Sequence, residues 1–441
     1  MSFLRRRLLT AALTANAIRP PASNLRGGLA SFALGWPTGE LAPQLLALTA
    51  ADTAVHLARG RDRRSRLGLA LAAGTALGLV HLVRQSRQVQ VLAEQSLVDT
   101  LGEEYSDRPG ERPTTVDLAT PWRKLLNPFS RRNPRVRVDR DIPFTDAGKR
   151  GLLDVYRSAG PDPVGAPVLL QVHGGGWTMG SKNEQGIPLM QRMAERGWVC
   201  VAINYRLAPR DPFPAQIVDV KRAIAWVKEH IEEYGGDPSY VVITGGSAGG
   251  HLSALAALSP NDPAYQPGFE GADTRVQAAV PFYGVYDFAG ATGLKNALLM
   301  RDHYLAPRIV QRSWEDDPEV FEQASPILRI TEDAPDFFVL HGARDSLVAV
   351  EQARLFVQAL RETSKSSVAY AEFPGTQHAF DVFPSIRSEH VVRAVERYLE
   401  WHRAAVEDGG VGAGRDPTLR YPAPRVSRRF SGVATPEKRR E

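Results

Sequence analysis

At 441 residues, with 43% apolar and 23% charged side chains, the chain has the makeup of a globular protein with a core large enough to need no staples. Its single cysteine, Cys200, excludes an intrachain disulfide and, inside the apolar run 198–203, reads as a buried strand residue; no Cys/His cluster suggests zinc, and neither a metal nor an organic cofactor is expected. The net charge of +5 is unevenly placed, with 21 basic against 11 acidic side chains in residues 1–140 and 8 against 4 in 408–441, which leaves the middle of the chain acidic. The basic flanks carry no aromatic-interleaved patch, so nucleic acid is not an expected partner, whereas an anionic membrane surface is.

In chain order, Arg5-Arg6-Arg7 precedes the apolar stretch 8–18, and two further apolar stretches, 41–58 and 67–83, flank a basic connector, 59–66. The stretch 67–83 holds one His and no formal charge, close to the ~20 apolar residues that a bilayer core demands. The stretch 41–58 contains Asp52 and His56 and makes a poorer span. Residues 1–100 therefore read as a helical segment, with possible membrane association through 1–84; a soluble helical pair packed on the rest, in a cytoplasmic protein, is the competing reading. An exported form, with Arg5 to Arg7 opening a signal peptide cleaved near Ala15-Asn16-Ala17, carries less weight because Thr10, Thr14 and Asn16 break its apolar stretch. Residues 85–133 read as a helix and a linker, and those after 405, rich in Gly, Pro, Arg and Ser, as a disordered basic tail.

Between these flanks the pattern alternates as an α/β doubly wound sheet does. Strands are expected at 135–144 and 151–157, as an antiparallel opening pair, then at 167–172, 198–203, 239–244, 275–282, 336–341 and 367–373, with helices such as 215–234 and 350–362 between them. Parallel strands joined by helices bring the loops after the strands to one edge of the sheet. The chemistry-bearing motifs fall in those loops. Gly245-Gly246-Ser247-Ala248-Gly249 follows a strand and opens a helix, so Ser247 sits at the apex of a sharp turn. His173-Gly174-Gly175-Gly176-Trp177 follows the strand 167–172, and its glycines let backbone N–H groups aim at a bound carbonyl, together with the N–H of Ala248. Asp345 leaves the strand 336–341, and His378 leaves the next. This order supports an acyl-transfer triad in which His378 takes the proton of Ser247 and Asp345 orients the imidazole. Asp336 stands at the very start of its strand and so points to the wrong end of the sheet. Asp381 is too near His378 in sequence to be an independent orienting loop, though it could support the histidine from behind, and His173 and His341 read as histidines bonded to neighbouring backbone.

On these motifs the chain resembles the hormone-sensitive-lipase-like carboxylesterases of the α/β-hydrolase fold, from about Arg135 to His402. His173 to Trp177 matches their HGGG box and Gly245 to Gly250 their nucleophile elbow, and Asn204-Tyr205-Arg206-Leu207-Ala208-Pro209 matches a stretch between the two. Many members carry Asp where this chain has Gly246. The resemblance implies an eight-stranded, mostly parallel sheet with a helical cap drawn from 284–326 and roughly 85–133, and an oxyanion hole of Gly175, Gly176 and Ala248. It implies hydrolysis of short- to medium-chain esters through an acyl-enzyme, which membrane-associated flanks would extend to a lipid ester; an arylformamidase- or deacetylase-like amidase is the alternative, and a non-catalytic binding module a more remote one. Trp177, Tyr205, Tyr283 and Tyr286 are candidates for lining the substrate pocket.

Overall fold

The computed structural model describes residues 1–21, 25–59, 65–102, 105, 119–130 and 133–409. Most of the basic connector, half of the expected linker and the tail from 410 onward lie outside the described residues. Four helices open the chain: α1 (Phe3–Ile18), α2 (Leu25–Glu40), α3 (Ala42–Ala58) and α4 (Arg66–Leu101). The charge at Arg84 suggests a break, yet α4 continues through it. No Pro or Gly interrupts the helix between Leu79 and Leu101, and its buried residues Ser86, Val89, Ala93, Ser96, Leu97 and Thr100 recur at helical spacing on one stripe. By length and composition α4 could cross a membrane, a property it shares with core helices of soluble proteins. Its apolar half packs on α1 and α3, where Leu79 and Leu82 meet Ala17 and Ala42. Asp52, the charge inside α3, is paired with Arg6 at 2.7 Å and Arg7 at 2.9 Å on α1. Two hydrogen bonds between Asn16 and Ser31, at 2.7 and 2.9 Å, tie α1 to α2.

The sheet contains β1 (Val136–Pro143), β2 (Leu152–Ser158), β3 (Ala166–Val172), β4 (Val199–Ile203), β5 (Gly236–Gly246), β6 (Ala278–Phe282), β7 (Asp336–Gly342) and β8 (Val368–Phe373). Their order is β1-β2-β4-β3-β5-β6-β7-β8; β2 runs antiparallel to both of its neighbours and every other pairing is parallel. This is the eight-stranded sheet expected of an α/β-hydrolase, with β5 beginning earlier and β6 later than the sequence pattern suggests. The main helices after α4 are α5 (Ile187–Glu195), α6 (Ala215–His230), α7 (Ala248–Ala257), α8 (Lys295–Met300), α9 (Pro318–Gln323), α10 (Val350–Thr363) and α11 (Ile386–Glu407). α6, α7 and α10 cover one face of the sheet, while α5, α11 and the second half of α4 cover the other. All seven residues of β3 are buried, as a strand sandwiched between helical layers requires.

Register positions the site. Val172 pairs with Gly245, Gly246 with Phe282, Phe282 with Leu340, and Gly342 with Phe373. The central strands therefore end along one line, and the loops that follow them share a single edge of the sheet.

Candidate active site

At that edge β5 turns into α7 through Ser247, whose φ of 59° and ψ of −118° lie in a region that a residue with a side chain rarely occupies. The turn is held by the Ser247 N–H, which donates to the Phe282 carbonyl at 3.0 Å. It also needs the start of α7 to press on the end of β3: a Cβ at Gly249 would fall 2.1 Å from the Val172 carbonyl oxygen. Ser247 is left half-buried at the helix N-terminus, beside the first-turn N–H groups and the positive end of the helix dipole.

The loop after β3 curls beside this elbow. Gly175, Gly176 and Trp177 all have positive φ, at 115°, 58° and 59°. Gly174 donates its N–H to Gln185 Oε1 at 2.7 Å, and the Gly176 carbonyl accepts from the Tyr304 hydroxyl at 2.9 Å. The N–H groups of Gly175 and Gly176 have no acceptor within the described residues, so they are available to a developing oxyanion.

His378 follows β8, and its Nδ1 lies 2.6 Å from Asp345 Oδ2. Asp345 Oδ1 accepts the N–H groups of Leu347 and Val348, each at 2.8 Å. His341 Nε2 lies 3.4 Å from Asp345 Oδ2 and 3.0 Å from the Val348 carbonyl. Burial alone would raise the pKa of the Asp345 carboxyl, but the two imidazoles outweigh it and hold the group well below the usual carboxylate range. Asp345 is thus an ionised, fully partnered acceptor, suited to fixing an imidazole tautomer rather than to exchanging a proton.

The family model described as BD-FAE matches residues 153–360. The probable carboxylic ester hydrolase LipM of Mycobacterium tuberculosis is 46% identical over 89% of this chain and 91% of its own length. Esterase LipQ of the same organism is 42% identical over 90% of each chain. The chain belongs to the hormone-sensitive-lipase-like family of carboxylic ester hydrolases. Among solved structures, the butyrate-bound form of esterase 2 from Thermogutta terrifontis matches this esterase with a TM-score of 0.50 and 26% identity, over 63% of this chain and 96% of that one. An inhibited esterase B from Lactobacillus rhamnosis, at 19% identity, TM-score 0.52 and coverage of 63% and 90%, shares the fold.

Two of the four rival groups in the esterase are occupied elsewhere, whereas His341 sits against Asp345 and Asp381 lies in the histidine loop. Asp336 starts β7 at the opposite edge, where Oδ1 accepts the Ser367 N–H at 2.9 Å. His173 Nδ1 lies 2.7 Å from the Gly174 carbonyl, and burial pushes its pKa down to about 4. Of the four aromatics expected to line a pocket, the structure corrects three. Tyr205 stacks under His173 at 4.2 Å between ring centroids and donates to the His173 carbonyl at 2.9 Å, so it supports the glycine loop from below. Trp177 donates to His251 at 3.1 Å and packs edge-on to Phe288, and Tyr286 stacks on Phe356 at 4.2 Å. All three are buried packing residues. Tyr283 differs, because its ring centroid lies 4.4 Å from that of His378.

Three residues at the site went unread in the sequence. Gln377 joins the acid and histidine loops: its Oε1 accepts the N–H groups of Ser346 at 2.7 Å and His378 at 2.9 Å. Tyr304, in the π-type helical run Arg301–Val310, holds the glycine loop from the insertion 284–326. Phe32 on α2 meets the His378 ring nearly edge-on at 5.8 Å. α2 is docked there by three further contacts: Ser346 Oγ donates to the Gly28 carbonyl at 3.0 Å, Ser385 Oγ donates to Glu40 at 2.6 Å, and Arg387 forms a buried ion pair with Glu40. Residues 85–101, read as a cap contribution, instead continue α4 and pack on β8 and α11.

Proposed function

We propose that this esterase cleaves short- to medium-chain acyl esters and lipid esters through an acyl-enzyme on Ser247. The observation that carries the reading is the 2.6 Å contact between Asp345 and His378 at the edge of the sheet where the positive-φ Ser247 elbow stands. Ser247 Oγ attacks the ester carbonyl while His378 Nε2 accepts its proton. The tetrahedral oxyanion is met by the N–H groups of Gly175, Gly176 and Ala248. His378 then protonates the departing alcohol, and water, deprotonated by the same imidazole, releases the acid and restores Ser247. Asp345 stabilises the imidazolium throughout. α2 and the insertion 284–326, through Phe32 and Tyr304, form the cover that limits water at the reacting carbonyl. A series of p-nitrophenyl esters from acetate to palmitate, with a formanilide as the amide control, tests this. Turnover should peak at a short or medium chain, with the formanilide left intact; cleavage of the formanilide alone contradicts the reading.

The lipid-ester part rests on the N-terminal helices. Leu8, Leu9, Leu34, Leu48, Leu57 and Leu77 are 49% to 73% exposed on α1 to α4, and Arg5, Arg19, Arg59 and Arg66 are exposed on the same unit. Leucines flanked by arginines suit the surface of an anionic bilayer. The full chain should float with vesicles containing phosphatidylglycerol, be released by high salt, and bind less well as Leu48→Glu/Leu77→Glu. Absence from the floating fraction with every vesicle composition contradicts membrane association.

A further inference from the structure

Beyond the proposed triad, a second carboxylate stands close to His378 without touching it. Asp381 lies three residues further along the same loop, buried at 8% exposure, and accepts a hydrogen bond from the Tyr283 hydroxyl. The Tyr283 ring lies over His378, with centroids 4.4 Å apart and planes inclined by 53°. Its backbone is fixed as well: φ is 38°, and its N–H donates to the Leu340 carbonyl at 2.7 Å. One tyrosine therefore bridges the end of β6 to the histidine loop at two points, by its ring against the imidazole and by its hydroxyl to Asp381. On its other side the hydroxyl fills the space beside residue 246, where a Cβ would fall 2.6 Å from the Tyr283 oxygen. Glycine at this position is what admits the tyrosine.

We propose that Tyr283 and Asp381 form a positioning pair for His378, in which the Asp381 carboxylate anchors the Tyr283 hydroxyl and the anchored ring fixes the plane of the imidazole, with Gly246 leaving the room. The inference rests on His378 acting as the general base. Asp345 fixes the imidazole along its Nδ1 direction, but one hydrogen bond leaves rotation about that direction free, and a ring held against the imidazole at an inclined angle restrains it. Neither Tyr283 nor Asp381 exchanges a proton with substrate in this scheme. Their effect falls on kcat, because a misplaced imidazole hinders proton transfer without weakening ester binding.

The experiment is a double-mutant cycle on the full chain, with kcat and KM measured on the best p-nitrophenyl ester and melting temperature followed in parallel. Tyr283→Phe and Asp381→Ala should each lower kcat by about 10-fold, with KM changed less than about twofold, and the double variant should lose no more than either alone, because the two act as a unit. Asp381→Asn keeps an oxygen that accepts the tyrosine hydroxyl and should recover most of the loss. Gly246→Ala should resemble Tyr283→Phe, by displacing the hydroxyl rather than deleting it. Unchanged kcat in Tyr283→Phe, additive losses in the double variant, or Asp381→Asn as impaired as Asp381→Ala would each overturn the pair. If Tyr283→Phe does not fold, the comparison of Asp381→Ala with Asp381→Asn decides alone. His378→Ala separates the two levels: loss of its turnover leaves the triad standing whatever becomes of the pair, whereas wild-type turnover in that variant refutes the triad and the pair with it.

Discussion

Ser247→Ala is expected to lower kcat by about 10⁴-fold or more while leaving the melting temperature nearly unchanged. The two halves of that result have separate causes. The hydroxyl is the only group at the elbow proposed to form a bond with the acyl carbon, and without it no acyl-enzyme forms; what remains is the background from oxyanion donors and substrate binding. The fold should be indifferent because Ser247 Oγ makes no hydrogen bond among the described residues, and alanine has the same Cβ, so the strain at φ 59° is neither relieved nor increased. Steady-state turnover of a p-nitrophenyl ester alongside a thermal melt checks both halves together.

Asp345→Asn should cost about 10⁴-fold in kcat with a folded protein, and the surroundings of the carboxylate give the reason. Oδ1 is committed as acceptor to the N–H groups of Leu347 and Val348, so an asparagine must keep its oxygen there and turn its NH2 toward His378. Two donors would then face each other at the 2.6 Å contact unless the imidazole shifted its proton to Nε2. That tautomer presents N–H to Ser247 and cannot accept the serine proton. The loss should ease as pH rises, if hydroxide or another base takes over the proton, whereas a purely structural lesion would show no such recovery. Asp345→Asn at wild-type turnover would remove Asp345 from the mechanism.

The candidate catalytic motifs could be picked out because each lies within a few residues of a strand end and depends on local chemistry: a serine between small residues, a run of glycines, an acid and a histidine after apolar strands. The sheet followed from the same alternation, and its register carried the four loops to one edge. The covering of the site was not legible. Phe32 lies on α2, between the apolar stretches 8–18 and 41–58 singled out in the sequence, and nothing near it in sequence points to a histidine 346 positions away. α4 was read as two pieces because an apolar half precedes an amphipathic one, yet helix continuity depends on the absence of breakers rather than on constant polarity. The pocket aromatics failed for a related reason. Trp177, Tyr205 and Tyr286 flank catalytic loops in sequence, but a side chain beside such a loop can point beneath it into the core as readily as above it into the cleft, and here all three point beneath.

Docking of α2 joins the two halves of the chain. Its inner face carries Phe32 toward His378, Trp36 against Phe383 and Glu40 to Arg387, while Leu34 is exposed on its outer side. Under the proposed membrane association, a helix with one face toward the proposed base and exposed leucine on the other would link the bilayer to the site, which is why vesicle binding and ester chain length belong in the same set of experiments.

The most direct test of the acyl-enzyme account is to trap the nucleophile. Wild type treated with a p-nitrophenyl alkylphosphonate should gain one phosphonyl group per chain by intact mass, lose ester turnover in step with the gain, and carry the group on Ser247 by peptide mapping; a group mapped to any other residue, or an unmodified Ser247 in enzyme that has lost its activity, would contradict the account.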